Sequence, residues 1–141
     1  MPLIEAFIPE GALRPEAETR LMKELTDILV SLEGIEPENE HVRAKSVIFL
    51  YRPQVFVAGA PRGAPRYRFV PWLPPGRNDA EVRRLVVKAV TEAVARAEGS
   101  CFDDVKSRVW VLPSDVACSR SEEGPDGIDS KRILDAFLDE E

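Results

Sequence analysis

Few residues in this chain are equipped for chemistry, and the most distinctive is Pro2. Small residues after an initiator methionine generally permit its removal, and cleavage of Met1 would leave Pro2 with a free secondary α-amine. Such an amine starts near a pKa of about 7.7 to 8. Desolvation or nearby arginines disfavour its protonated form, so it can serve as a base at neutral pH without histidine. The single histidine, His41, lies in an acidic loop with Glu38 and Glu40 and reads as a surface residue. One histidine cannot supply a metal cluster. Neither Cys101 nor Cys118 has a histidine close in sequence, and Cys101 reads as packing or surface rather than as a nucleophile. No glycine motif of the kind that grips phosphate occurs, and the Pro/Gly/Arg stretch from Pro61 to Arg66 reads as a turn. No metal and no cofactor are expected.

Composition narrows the partners. The 141 residues fit one domain or two small fused units, and 44% apolar with 31% charged residues is ordinary globular composition. Nineteen basic against 25 acidic residues give a net charge of −6, which argues against a nucleic-acid partner. No apolar run approaches the roughly 18 residues of a membrane span, and no cleavable leader pattern is present. A cytoplasmic protein with reduced thiols and no membrane attachment is expected. The charge is unevenly placed. Residues 114–141 hold nine acids and three bases, whereas residues 1–113 hold sixteen of each. An acidic C-terminal segment over 114–141 is therefore set apart from a domain over 1–113. Within it, Ile133, Leu134, Phe137 and Leu138 have the spacing of a short helix.

An internal repeat organises the domain. The segment I-P-E-G at 8–11 is echoed by L-P-P-G at 73–76, an offset of 65 residues that persists as Glu16 and Glu81, Thr26 and Thr91, and Glu33-Gly34 and Glu98-Gly99. The first unit, about 2–58, has an apolar strand over 2–8 ended by Pro9 and Gly11. A helix over 15–33 follows, with Leu21, Leu25, Ile28, Leu29 and Leu32 on one side. A polar loop over 35–45, a strand over 46–52 and an apolar extension or hairpin arm at Gln54 to Ala58 complete it. The second unit, about 66–112, repeats the order: a strand over Tyr67 to Leu73, a helix over Asp79 to Glu98 capped by Asn78 or Asp79 and stopped by Gly99, and a closing strand over Val105 to Leu112. The fold class is α/β: two tandem β-α-β units forming a four-stranded mixed sheet with two helices on one face. The strands carry more apolar residues than one covered face needs, which an oligomer can bury.

The run P-L-I-E-A-F-I-P-E-G at 2–11, together with the duplicated β-α-β units, resembles the tautomerase superfamily over about residues 2–112. That superfamily includes 4-oxalocrotonate tautomerase (4-OT), malonate semialdehyde decarboxylase and the 3-chloroacrylic acid dehalogenases, and the likeness is to its fused, double-length members. The resemblance implies that Pro2 is the catalytic residue and that the chains assemble as a homotrimer. The family's E-G-R signature, whose arginine binds substrate carboxylate, reads Glu10-Gly11-Ala12 in the first unit, so the arginine is absent there; in the second unit Pro75-Gly76-Arg77 supplies it as Arg77. Of the residues that mark the cis-3-chloroacrylic acid dehalogenase, a second arginine falls on Pro74, a helix histidine on Leu29 and a tyrosine on Leu112. Its water-activating glutamate falls on Glu123. The dehalogenase activity is therefore not transferred.

Packing geometry agrees with Arg77. If the repeats pack head to tail, the strand starting at Pro2 runs antiparallel to Tyr67 to Leu73, and its start lies near the other strand's end, four residues before Arg77. Tyr67 stands at the Pro2 position of the second repeat without an amine, so one chemical site per chain is expected. Tyr67, Arg68 and Arg14, with Arg66, are candidate auxiliary substrate contacts. The expected activity is cofactor-independent tautomerisation of a small 2-oxo or unsaturated carboxylic acid, with Pro2 as base and Arg77 as clamp. Two other readings stay open: hydration, hydrolytic dehalogenation or decarboxylation of a small unsaturated or 3-oxo acid, with Glu123 activating water in the hydrolytic case, and a non-catalytic module that binds a small acid or a protein.

Overall fold

The computed structural model describes residues 3–32, 34, 36–61, 63–73 and 78–115. Strand β1, Leu3–Phe7, alternates: Ile4 and Ala6 are buried, while Leu3, Glu5 and Phe7 lie half-covered on the other face. Gly11, at φ 76°, turns the chain toward helix α1, Pro15–Leu32. Pro15 occupies the first turn, where its missing N–H costs nothing, and Ala17, Leu21, Leu25 and Leu29 form the buried stripe.

The stretch expected as a polar loop over 35–45 contains a short helix, α2, Glu40–Lys45. Asn39 caps it by accepting a hydrogen bond from the Val42 amide at 3.2 Å, and Val42 is its one buried residue. A single apolar anchor leaves no periodicity in the sequence, which is why the helix was not legible. Strand β2, Val47–Tyr51, follows. The expected apolar arm beyond it is a minimal hairpin: Val57 and Ala60 exchange backbone hydrogen bonds around Ala58 and Gly59, both at positive φ.

Strand β3 spans Tyr67–Leu73 as expected, and helix α3 spans Ala80–Glu98. Asp79 is the α3 cap, its Oδ1 accepting from the Val82 amide at 2.9 Å, and Gly99 ends the helix at φ 77°. Asp79→Ala should lower stability by about 1 kcal/mol, read from the midpoint of a urea titration at unchanged slope. The closing strand is shorter than expected. Phe102–Val105 forms a one-turn helix, α4, and strand β4 covers Val109–Val111. Val105 is fully buried in that turn rather than extended. A two-residue strand, β5, Ser114–Asp115, pairs with β3 in the register β4 began, with Phe69 opposite Val111 and Trp72 opposite Ser114. The ladder breaks between them, where Pro71 has no N–H to donate.

The sheet order is β2-β1-β3-β4, with β1 parallel to β2, β3 parallel to β4, and β1 antiparallel to β3. Two β-α-β repeats thus form a four-stranded mixed sheet, and α1 and α3 pack on one face around Ile4, Phe69, Leu25, Val90 and Val94. The other face is apolar and open: Phe49 is 52% and Trp110 46% exposed. There Phe7 stacks on Tyr51 at 4.7 Å, and Trp72 Nε1 donates to Glu5 at 3.1 Å. Among the described residues no helix is long and apolar enough to cross a membrane.

Candidate active site

The β1 and β3 pairing contains a local two-fold. Glu5 faces Val70, 65 residues on, so the repeat partner of Glu5 is also its cross-strand partner. The axis passes through that pair and relates its two ends. At one end Leu3 faces Trp72, and at the other Phe7 faces Arg68. The repeat is not uniform beyond the helices. Leu3 pairs with Val47, and its repeat partner Arg68 pairs with Trp110, 63 residues beyond Val47, so the second crossover is two residues shorter.

Of the residues expected to act, Pro2, Arg77 and Glu123 lie outside the described residues, as do Cys118 and the expected terminal helix. What is described is the frame on which two of them stand. Leu3 opens β1 opposite the end of β3, so the chain enters the sheet before Leu3 and leaves it after Leu73 at the same end. Asn78 begins the described chain after this gap, immediately before the α3 cap. Its side-chain oxygen is buried with no hydrogen-bond partner among the described residues. Sequence reasoning considered Asn78 only as a cap.

The auxiliary residues do not join that end. Arg68 faces Phe7, four residues along β3 from the Leu3 partner, which is about 13 Å at strand rise. Its guanidinium lies on the open face over the Phe7 ring at 5.1 Å. Tyr67 lies one residue further away. It is buried against the helices, and its hydroxyl donates to Glu98 Oε2 at 2.6 Å. Neither can touch a ligand at the Leu3 end of the same chain. Strand direction explains the separation: antiparallel pairing brings the start of one unit to the end of the other and separates the two starts. Arg14 is exposed ahead of α1, in the turn that follows the Phe7 end.

The Phe7 end holds a cavity of about 240 Å³. Pro9 to Ala12, from the turn after β1, form one side; Val55 and Val57 of the hairpin and Gly63 to Arg66, leading into β3, form the rest. By the repeat, Ala12 here is the partner of Arg77 and Arg66 the partner of Met1.

A buried ionic cluster supports this end from beneath. Arg108 is 7% exposed, donates to both Glu98 carboxylate oxygens, and also reaches the Pro65 carbonyl at 2.7 Å. These bonds from Arg108 hold the Glu98 carboxyl down to about 2, against the cost of burial. Burial, followed by the Glu98 hydrogen bond, pushes the Tyr67 phenol well above its ordinary value. The sequence signals Glu98 only as a helix end and Arg108 not at all. Among the described residues no group of three His, Cys, Asp or Glu side chains converges as a metal site.

This architecture is that of the tautomerase superfamily: the chain has its fold. A fused 4-OT solved as a symmetric trimer superposes with a TM-score of 0.62 at 22% identity, covering 93% of this chain and 98% of that one. A protein solved after inactivation by 2-oxo-3-pentynoate gives 0.65 at 21% identity, covering 93% and 98%. The macrophage migration inhibitory factor of Toxoplasma gondii gives 0.56 at 14% identity, covering 87% and 96%. No protein-family model and no curated protein sequence matches the chain.

Proposed function

We propose that this chain is a cofactor-independent keto–enol tautomerase acting on a small 2-oxo or unsaturated carboxylic acid, with Pro2 as the base and Arg77 as the carboxylate clamp. The observation that carries the reading is the register of β1 on β3, in which the start of one strand meets the end of the other. The segments bearing Pro2 and Arg77 adjoin the sheet at that end. The local two-fold adds support, because the same two kinds of segment enclose a cavity at the opposite end.

In the ketonising direction, the Pro2 nitrogen takes the enol hydroxyl proton, electron density shifts to carbon, and the protonated ring returns the proton to that carbon. Arg77 holds the carboxylate and offsets the enolate charge, both tasks suited to a planar fork of donors.

The mechanism requires that Met1 be removed, since an amide nitrogen has no basic lone pair. Intact mass should therefore show the chain without Met1. Turnover of phenylenolpyruvate should fall below neutral pH, as the amine protonates; loss above neutral pH with hydration of an unsaturated acid would assign the ring as an acid beside activated water instead.

The same reading makes the protein a cytoplasmic homotrimer in which 1–113 is the tautomerase-like domain and 114–141 an acidic appendage. The open sheet face supplies the assembly surface. Phe49→Glu should shift the trimer to monomer in sedimentation equilibrium, since each buried Phe contributes about 2 kcal/mol to association. A trimer unchanged in mass would reject that face as the interface.

A further inference from the structure

We propose that the cavity at the Phe7 end of the strand pair is a second binding site, which takes a small monocarboxylate through Arg66 and performs no chemistry on it. Arg66 is a half-buried cation with no counter-ion among the described residues. Among the described residues its guanidinium makes no ion pair and no hydrogen bond, and Nε is shut from water without a partner. Its contact is the Trp110 ring, 5.7 Å away. The other half-buried or buried arginines that brace the fold, Arg43 and Arg108, each hold a carboxylate. Arg66 lines the cavity with Pro9, Val55 and Val57, and a carboxylate bound there supplies two acceptors to a guanidinium fork that no described carboxylate occupies.

The lining sets the ligand class. Arg66 is the one cation among the described lining residues, and Glu10 stands at the exposed rim. Among the described lining residues one positive charge faces one negative rim, which suits a single carboxylate with an apolar body better than a dicarboxylate or a phosphate, and about 240 Å³ is ample for it. Among the described lining residues the one carboxylate, Glu10, stands at the exposed rim, and no free amine or imidazole is present. The Arg66 to Tyr67 bond is an ordinary peptide, and the Tyr67 hydroxyl is committed to Glu98. Repeat symmetry accounts for its origin: it is the counterpart of the Pro2 end, with Ala12 where Arg77 stands and the cation moved to the entering strand. It stands on Arg66 and the cavity and does not require Pro2 to be catalytic.

The test uses the full chain carrying Arg77→Ala, which disables the proposed clamp at the other end. Benzoate is titrated while the amide resonances of Gly11, Gly63 and Ala64 are followed. Saturable shifts at these amides are expected, and benzamide, which lacks the charge, should bind at least about tenfold more weakly. Arg66→Met, which keeps the stem over Trp110, and Val57→Phe, which narrows the cavity, should each weaken benzoate by about tenfold or more. No shift at these amides up to about 10 mM benzoate overturns the proposal. So does equal binding by Arg66→Met, or an Arg66→Met effect confined to the oligomeric state. Failure of the Pro2 reading would appear elsewhere, as unchanged turnover in Pro2→Ala, and would leave these shifts intact.

Discussion

Blocking the Pro2 nitrogen should abolish phenylenolpyruvate turnover, with a loss of about two to four orders of magnitude in kcat, the usual contribution of a positioned general base. A residue at position 2 too large for methionine removal gives this blocked form, because the nitrogen then stays within an amide. Pro2→Ala is the milder test. It leaves a primary amine of similar basicity but frees the lone pair that the ring holds in one direction, so kcat should fall while a residual rate persists. Arg77→Ala separates binding from chemistry. A charge-assisted bond to a carboxylate contributes about 1.5 to 3 kcal/mol, so kcat/KM should fall about tenfold to a hundredfold, with part of the loss in KM. Full activity in all three variants would reject both assignments.

The second large effect is on stability. Arg108→Met should cost about 3 to 5 kcal/mol, because it strips the largely buried Glu98 carboxylate of its counter-ion and leaves Tyr67 and Ser100 as its donors among the described residues. Glu98→Gln should cost less, since the amide oxygen can still accept from Arg108. The pair also sets an acid limit. Glu98 has a folded-state pKa of about 2 against an ordinary 4.5, so its stabilisation is fully present above about 4.5 and is lost as pH falls toward 2. Urea midpoints of the parent chain should decline through that window, and those of Glu98→Gln should decline less. Identical pH profiles for the two would show that the ion pair does not contribute to the acid limit.

Most of the frame was legible because its signals are local or periodic. Leu21, Leu25 and Leu29 mark one helix, Val86, Val90 and Val94 the other, Gly99 a helix stop, and the constant offset of 65 the duplication. The repeat alone leaves head-to-tail packing a supposition, and the pairing of Glu5 with Val70 shows it directly. What escaped depends on long-range partners. The α2 turn rests on Val42 alone, and the shortened closing strand reflects Val105 turning into the core. Arg108 looks like any surface arginine until folding brings it to Glu98 and Pro65. Tyr67 is the repeat counterpart of Pro2, and Arg66 and Arg68 flank it, but the antiparallel register puts that strand start at the other end of the sheet from Leu3.

On the proposed mechanism the Pro2 ring nitrogen is free, basic at neutral pH, and set in a pocket that accepts an organic acid. Its most direct test is incubation with 2-oxo-3-pentynoate, whose alkyne conjugated to a carbonyl captures an unprotonated amine, followed by intact mass and peptide mapping. The expected result is one reagent mass per chain, on Pro2, formed more slowly as pH falls below neutral and suppressed by Arg77→Ala. An unmodified Pro2, or one still joined to Met1, would contradict it.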